Sequence, residues 1–519
     1  MKDVYVDYLI NKGLNVQNTR RMPYSTIITP EGKTLYVSEE RPINKAMSMD
    51  FYQLATLSAY LAAEKEQQTG TFNMLFRRNF CQGAYTIFLG LNDILEFLEQ
   101  LEYTGEDIDF MRAKYVLPSN TWEYLRELKF TGTVEAFKEG SMVQPYIPLV
   151  QITDALPIAH IIETQLLTLS GYKTSVATRA ARITSQAGNT PWLEFGLRGA
   201  PGIEGGLIAS EAAYIGGAVG TSNVLADQLK GIPASGTMPH AYVQSFGTQE
   251  NQVDAFVNWM QVFKEGSGIL IDTYSYESGT RDALEASKIV GIDKYKERDD
   301  SSDLAQHSIN MRKFLDKNNR KGVKLFISNE IEEYKLYELK KAGACIDGVG
   351  CGRRVVNVPD LGMVYKLVQV IKQDGTVMNT IKISGDEEKT TDPGRKKVER
   401  YCDENGKYRS DVMYLADENI PVIKWATAVG REINYLTITG KKRESCLKTV
   451  MNNGKVVDNY KAPTPDELKH RVSQEMKKMK PDMLKLKGFH KYSVGLGHEL
   501  YKLKKRLIKK NSKNYMALG

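Results

Sequence analysis

The chain has 519 residues, 42% hydrophobic and 26% charged, with a formal net charge of +7. That length exceeds what one simple core organises, so two or more domains are expected. No apolar run approaches the ~18–20 residues of a membrane span. The five scattered cysteines contain no CxxC pair, which excludes a disulfide framework and fits the reduced thiols of a cytoplasmic protein.

The charge excess is local. From Lys461 to Gly519 there are 16 Lys and Arg against 5 Asp and Glu, a balance of +11, so the rest of the chain sums to −4. Such a tail can touch nucleic acid or an anionic membrane. Leu503, Leu507 and Ile508 recur at helical spacing within it, so a surface helix with a solvated basic face is the simpler reading, and nucleic acid is not an expected partner. The first residues, Met1 to Val6, carry Asp3 and no signal-like core.

Residues 1–45 read as short strands, Tyr24 to Thr29 and Lys33 to Val37. A helix begins near Ser48, with Phe51, Leu54, Leu57 and Leu61 on one face and Tyr52 on its first turn. Residues 71–88 are extended and carry Arg77 and Arg78, adjacent bases that can clamp an anion or simply face solvent. Gly90 to Leu128 is helical and Phe130 to Pro148 is β. Leu156 to Leu169 is a long helix, and Thr178 to Arg182 continues a helix with two bases, Arg179 and Arg182.

A regular alternation follows. A strand at Trp192 to Leu197 ends at Arg198. A helix Ala209 to Ile215 leads to Gly216–Asn223, a short helix, and a small-residue strand in Gly231–Val243 that ends at His240. A helix covers Phe246 to Phe263, and the strand Gly268 to Thr273 is tipped by Asp272. A helix spans Asp282 to Val290, and Arg298 to Leu304 forms an acidic loop before another helix. The strand Val323 to Ile327 is tipped by Ser328 and Asn329. The helix Glu330 to Lys341 precedes Ile346–Arg354, where Gly350 and Gly352 flank Cys351. Strands alternating with helices argue for βα units on a parallel sheet, and polar strand tips for a barrel with its site at one mouth. The expected fold is therefore α/β: an irregular βα barrel over 151–365, and an α+β domain formed from the N-terminal segment 1–150 and the C-terminal segment 366–519, which reads as short strands, a helix and the basic tail.

The chemistry gathers at that mouth. His240 is a candidate for proton or phosphoryl work, although a lone histidine is more often structural. Gly350, Cys351 and Gly352 can cradle a phosphate with backbone N–H groups. There is no P-loop and no GxGxxG. The run Asp300-Ser301-Ser302-Asp303 can hold ribose hydroxyls or a metal-bound pyrophosphate, or can simply cap the next helix. With Arg198, Arg298 and Asp272 added, the mouth suits an anionic sugar phosphate.

Taken together, these stretches carry a family resemblance. The chain resembles the nicotinate phosphoribosyltransferases, of the type II phosphoribosyltransferase fold. The matching stretches run in order: Asp50 to Leu54, Leu75 to Arg78, Thr178 to Arg182, Phe195 to Arg198, Gly220 to Ala226, Gly231 to His240, Asp272 to Tyr274, Ser328-Asn329, Ile346 to Gly348 and Pro393 to Lys396. The resemblance implies conversion of nicotinate and phosphoribosyl pyrophosphate to nicotinate mononucleotide and pyrophosphate, assisted by ATP hydrolysis and Mg²⁺, in NAD salvage. It implies a catalytic set of His240, Asp272 and Asp300, with His240 phosphorylated by ATP. Substrate binding falls to Tyr52, Phe195, Arg198, Ser222, Thr237 and Arg298. Phosphate binding falls to Arg77, Arg179, Ser328, Asn329, Gly350, Gly352 and Arg353. No side-chain metal ligands are implied. Tyr52 and Arg77 would come from the second subunit of a homodimer, with Tyr52 and Phe195 on the two faces of the pyridine ring and Arg198 facing its substituent. Three departures stand out: Ser302 and Pro239 replace a Gly and an Ala of the family pattern, and Arg353 replaces a Thr. The alternatives are a nicotinamide phosphoribosyltransferase, against which Ser222 speaks, and a non-catalytic ligand-binding relative with a basic tail.

Overall fold

The computed structural model describes residues 44–386, 389–419, 442–489 and 492–512, with the backbone of four further strands, Tyr24–Ile28, Thr34–Ser38, Trp425–Ala428 and Tyr435–Thr437. The expectations for Met1 to Val6, Thr29, Lys33 and the last seven residues of the basic tail lie outside the described residues.

Six strands alternate with helices between residues 192 and 351: Trp192–Glu194 (β1), Gly220–Thr221 (β2), Gly268–Leu270 (β3), Lys296–Asp299 (β4), Lys324–Ile327 (β5) and Gly348–Cys351 (β6). They pair in the order β3-β4-β5-β6-β1-β2, and every neighbour is parallel. Parallel strands need crossover connections, supplied here by helices such as Gly202–Ile215, Tyr276–Val290, Leu304–Lys317 and Glu333–Lys341. Between β2 and β3 the chain itself spans the gap. Ala234 bridges Thr221 in parallel, and Thr237 packs so tightly that a Cβ on Gly268 would lie 2.6 Å from its Cγ2. The sheet thus curls into an irregular βα barrel.

Two sequence expectations change here. The strand expected before His240 is a single bridge, because Pro233 and Pro239 remove ladder donors and Gly236 has no side chain to pack. His240 opens the short helix His240–Gln244. Arg298, expected in a loop, lies in β4. That strand reads Lys-Glu-Arg-Asp and carries no apolar signal, yet it alternates correctly, with Glu297 and Asp299 buried.

The helix expected over Leu156 to Leu169 is two helices, Leu156–Ile161 and Glu163–Ala187, and the second carries Thr178 to Arg182. Its small residues admit close neighbours. A Cβ on Gly216 would fall 2.4 Å from Ala180 Cβ. Thr174 and Thr178 hydroxyls accept from the N–H groups of Leu89 and Ile87 at 3.1 and 3.0 Å.

Outside the barrel lie two larger sheets, one of them shared by the chain before the barrel and the chain after it. One is antiparallel, in the order Val377–Asn379, Val364–Ile371, Thr69–Leu75, Val150–Ala155, Thr133–Ala136, Lys448–Asn452, Lys455–Val456. A second, six-stranded sheet uses residues after 395 alone. The basic helix His498–Ser512 buries Leu503 and leaves Lys502, Lys505, Arg506, Lys509 and Lys510 exposed, which is the amphipathic arrangement its spacing implies.

Candidate active site

Every barrel strand delivers polar residues at its carboxyl end, where neighbouring helices leave a mouth. Phe195 and Arg198 follow β1, Ser222 follows β2 and Asp272 follows β3. Arg298 and Asp299 end β4, with Asp300 beyond them. Ser328 and Asn329 follow β5. Gly350 lies in β6, and Gly352 and Arg353 follow it. A cavity of about 360 Å³ is lined in part by Phe195, Thr237, Arg298, Phe326 and Gly350. Thr237 lies against Gly268, the first residue of β3.

Gly350 is not a loop glycine. It pairs in the ladder with Leu193, and its lack of a Cβ makes room for the Phe195 ring, which would otherwise lie 2.7 Å away. Phe195 is thereby seated over the strand end. Arg353 is exposed and packs beside Gly199, next to Arg198. Ser302 is exposed and does not have the positive φ that would demand glycine. Pro239 caps the His240 helix at φ −88°, within reach of a proline ring. The three departures from the family pattern are therefore accommodated without backbone strain.

The electrostatics are unbalanced at the centre. Asp272 is raised to about 6, by burial first and then by the neighbouring Asp299 carboxylate, with His240 opposing. Burial lowers Arg298, against the pull of Asp300 and Asp272. Asp272 Oδ1, Arg298 Nε and Ser328 Oγ are all buried with no hydrogen-bond partner among the described residues. Three such atoms around one mouth are what a site built for a polar ligand leaves behind when alone. His240 Nδ1 lies 3.2 Å from Thr273 Oγ1, which fixes one ring nitrogen and leaves Nε2 for other work.

The loop after β4 is held from behind. Asp299 accepts from Ser301 N–H at 3.0 Å and meets His307 Nδ1 at 3.0 Å, and the His307 ring stacks on Tyr276. Asn329, at φ +88°, donates to the Ser301 carbonyl at 2.9 Å. None of these supports is apparent from the sequence except Asn329, as a polar strand tip.

Three of the expected residues stand apart. Arg179 is clamped by Glu333 at 2.7 Å and Glu332 at 3.3 Å, and Arg182 donates to the other Glu333 oxygen at 2.8 Å. Arg179 is thus ion-paired within the fold through one guanidinium nitrogen, while its Nε is buried without a hydrogen-bond partner among the described residues. Of the expected residues only Phe195, Thr237, Arg298 and Gly350 line the cavity itself; Tyr52 and Arg77 do not, and neither do His240, Arg198, Ser222, Asp272, Asp300, Ser328, Asn329, Gly352 and Arg353. Tyr52 is 47% exposed beside Glu163 on the helix Phe51–Ala62, and its phenol is pushed up to about 12, by burial first and then by that carboxylate. Glu163 pairs with Lys366, which burial lowers first, with Arg77 among the further causes. Tyr52 and Arg77 thus share one face away from their own barrel cavity.

Among the described residues no three His, Cys, Asp or Glu side chains form a metal-holding group. The unpartnered Asp272 oxygen nevertheless fits a hydrated divalent cation held through one carboxylate and ligand phosphates, the usual manner of Mg²⁺. Among the described residues no helix is long and apolar enough to cross a membrane.

Comparison with known proteins gives a consistent answer. The nicotinate phosphoribosyltransferase N-terminal domain model matches residues 47–170, and the C-terminal domain model of the same enzyme matches 395–504. The nicotinate phosphoribosyltransferase of Caenorhabditis elegans is 30% identical, over 90% of this chain and 94% of its own. That of Bacillus subtilis is 36% identical, over 72% of this chain and 77% of its own. The crystal structure of human nicotinic acid phosphoribosyltransferase superposes with a TM-score of 0.74 at 27% identity, covering 89% of this chain and all of the human one. With relatives this similar along nearly its whole length, the chain belongs to the nicotinate phosphoribosyltransferase family.

Proposed function

We propose that this chain transfers the phosphoribosyl group of phosphoribosyl pyrophosphate to the ring nitrogen of nicotinate, releasing pyrophosphate, as a step of NAD salvage. The observation that carries the reading is the mouth itself: an aromatic ring seated on Gly350, with Arg198 after it, beside three buried polar atoms that lack partners among the described residues. Phe195 supplies a stacking face for a flat heteroaromatic ring. Arg198 follows it to meet the ring carboxylate. Arg298, Ser328, Asn329 and Gly352 face the ribose and phosphates. Because the transition state has oxocarbenium character, the protein's task is to place the nitrogen against the anomeric carbon and to stabilise the leaving pyrophosphate. Bound Mg²⁺ would neutralise pyrophosphate charge, and Asp272 with Asp300 would orient its water shell.

ATP coupling belongs to the same proposal. In the tautomer that donates Nδ1–H to Thr273 Oγ1, His240 presents a lone pair on Nε2. Attack on the γ-phosphorus forms an N–P bond, breaks the bond to the bridging oxygen and releases ADP. The added negative charge would then act on the cations of the mouth, Arg298 and Arg198. Tyr52 and Arg77 are proposed to serve the mouth of a second copy, which makes the active unit a homodimer. The organisation proposed is the barrel over 151–365, with the α+β domain formed from 1–150 and 366–519, in a cytoplasmic enzyme.

The deciding experiment is turnover of nicotinate and phosphoribosyl pyrophosphate, with and without ATP. Nicotinate mononucleotide formed faster with ATP is the expected result, and no product in either condition overturns the reading. Substrate choice is a second arm. Ser222 carries no charge to repel a carboxylate, so nicotinate should outpace nicotinamide at equal concentration.

A further inference from the structure

Glu194, the last residue of β1, is fully buried in the barrel wall, and nothing in its sequence context singles it out. Its carboxylate has three neutral partners. One oxygen accepts from the Gly196 N–H, in the turn between Phe195 and Arg198. The other accepts from Thr221 Oγ1 at 2.6 Å and Ser210 Oγ at 3.1 Å. The Glu194 main chain joins in, its carbonyl accepting from Ser222 N–H at 2.9 Å.

Those partners are themselves tied. Thr221 Oγ1 accepts from Asn223 N–H at 3.1 Å, and Asn223 Nδ2 donates to Ser210 Oγ at 3.2 Å. Asn223 Oδ1 in turn caps the following helix through Leu225 N–H at 3.1 Å. One side chain therefore connects the turn carrying Phe195 and Arg198 with the strand end carrying Ser222. There is little slack in the turn: a Cβ on Gly196 would lie 2.8 Å from the Glu194 carboxylate and 2.9 Å from the Gly352 carbonyl.

We infer that Glu194 is the positioning residue of the pyridine corner: through Gly196 and Thr221 it fixes the Phe195 ring and the Arg198 guanidinium relative to Ser222, and so sets affinity for the pyridine acid. This rests on the proposed function. Glu194 touches no substrate, and it acts through hydrogen-bond geometry rather than through its charge. A glutamine can reproduce that geometry. Its carbonyl oxygen accepts from Gly196 N–H, and its amide donates to the Thr221 and Ser210 hydroxyls, which accept as readily as they donate. An alanine reproduces nothing.

The test compares Glu194→Ala, Glu194→Gln and Thr221→Val with the wild-type enzyme, reading KM for nicotinate, KM for phosphoribosyl pyrophosphate, kcat and the thermal midpoint. Glu194→Ala should raise the nicotinate KM on the order of tenfold, with KM for phosphoribosyl pyrophosphate within about twofold. Glu194→Gln should restore the nicotinate KM to within about threefold of wild type, and Thr221→Val should fall between. Equal impairment of Glu194→Gln and Glu194→Ala would show a role for the charge and overturn the inference. So would an unchanged nicotinate KM in Glu194→Ala, or a parallel rise in both KM values with a lowered midpoint. If Glu194→Ala does not fold, Thr221→Val decides alone, and a wild-type nicotinate KM there overturns it. A wild type that does not turn over nicotinate overturns the functional reading and this inference together. Wild-type turnover with indifferent variants overturns this inference only.

Discussion

Two charged regions of the molecule are built on opposite principles. On the helix Glu163–Ala187, Arg179 and Arg182 share the fully buried Glu333, at 2.7 and 2.8 Å, and Glu332 adds a fourth charge. At the barrel mouth, Asp272 has a buried oxygen and Arg298 a buried nitrogen with no partner among the described residues, and Asp299 crowds Asp272 with like charge. In the first region the charges meet one another directly, although Arg179 Nε is itself buried without a hydrogen-bond partner among the described residues. The second is completed by whatever binds. Buried charges that are mutually satisfied hold structure together, and buried charges left unsatisfied mark where stability has been given up for function.

Removing Glu333 should do the greatest harm. Glu333→Ala leaves two guanidinium groups facing each other without their shared carboxylate, and stability in urea unfolding should fall by about 3–5 kcal/mol. A loss under ~1 kcal/mol would mean that water or Glu332 suffices, and the contrast with the mouth would fade.

Asp272→Asn is the matching change at the mouth. Turnover should fall on the order of 10²-fold, while the unfolding midpoint stays level or rises, because a crowded carboxylate has gone. A lowered midpoint with retained turnover would reassign Asp272 to the first kind of region.

His240→Asn keeps size and some bonding to Thr273 but cannot carry a phosphoryl group. The ATP-dependent gain in product should vanish, a fall of about tenfold, leaving the ATP-free rate. Acid-labile phosphate should appear on the wild type after incubation with ATP and be absent from the variant. Equal ATP stimulation of both proteins contradicts the acceptor role.

The smallest effect is in pH dependence, and it has opposite sign in the two regions. Glu333 lies below its ordinary value of 4.5, because the arginines outweigh its burial. Its contribution is present above that value and is lost as pH falls through the lower folded-state value. Asp272 lies above its ordinary 3.8, at about 6, so its ionised form is disfavoured in the fold. Its penalty is full above pH ~6 and is relieved as pH falls towards ~4. The midpoint difference between Asp272→Asn and wild type should therefore shrink from about pH 7 to about pH 4. A difference that is flat across that range would remove Asp272 from the unsatisfied set.

The barrel is legible in the sequence for a physical reason. Gly268 to Leu270 is a short apolar run, Val323 to Ile327 is apolar but for Lys324, and polar residues mark where they stop. Asp272, Ser328, Asn329 and Arg198 can thus be placed at one mouth from the residue order alone. Where a strand carries its signal on charged residues, as Lys296–Asp299 does, periodicity fails, and Arg298 reads as loop. The ion pairing of Arg179 is hidden for another reason: its partners Glu332 and Glu333 are more than 150 positions away, and no local pattern announces a long-range ion pair. Glu194 escapes because one acid at a strand end looks like any other until its three donors are seen.

The way the chain shares its sheets sets an order of assembly. All six barrel strands lie between Trp192 and Cys351, so their ladder can form as soon as that stretch has been synthesised. The antiparallel sheet cannot. Its strand Thr133–Ala136 waits for Lys448–Asn452, and Thr69–Leu75 waits for Val364–Ile371. Until the ribosome has passed Asn452, Thr133–Ala136 has one open edge, and open edges invite pairing with other chains. The nascent protein is thus most exposed to aggregation in the interval when its barrel is already formed, and help from chaperones is most valuable there.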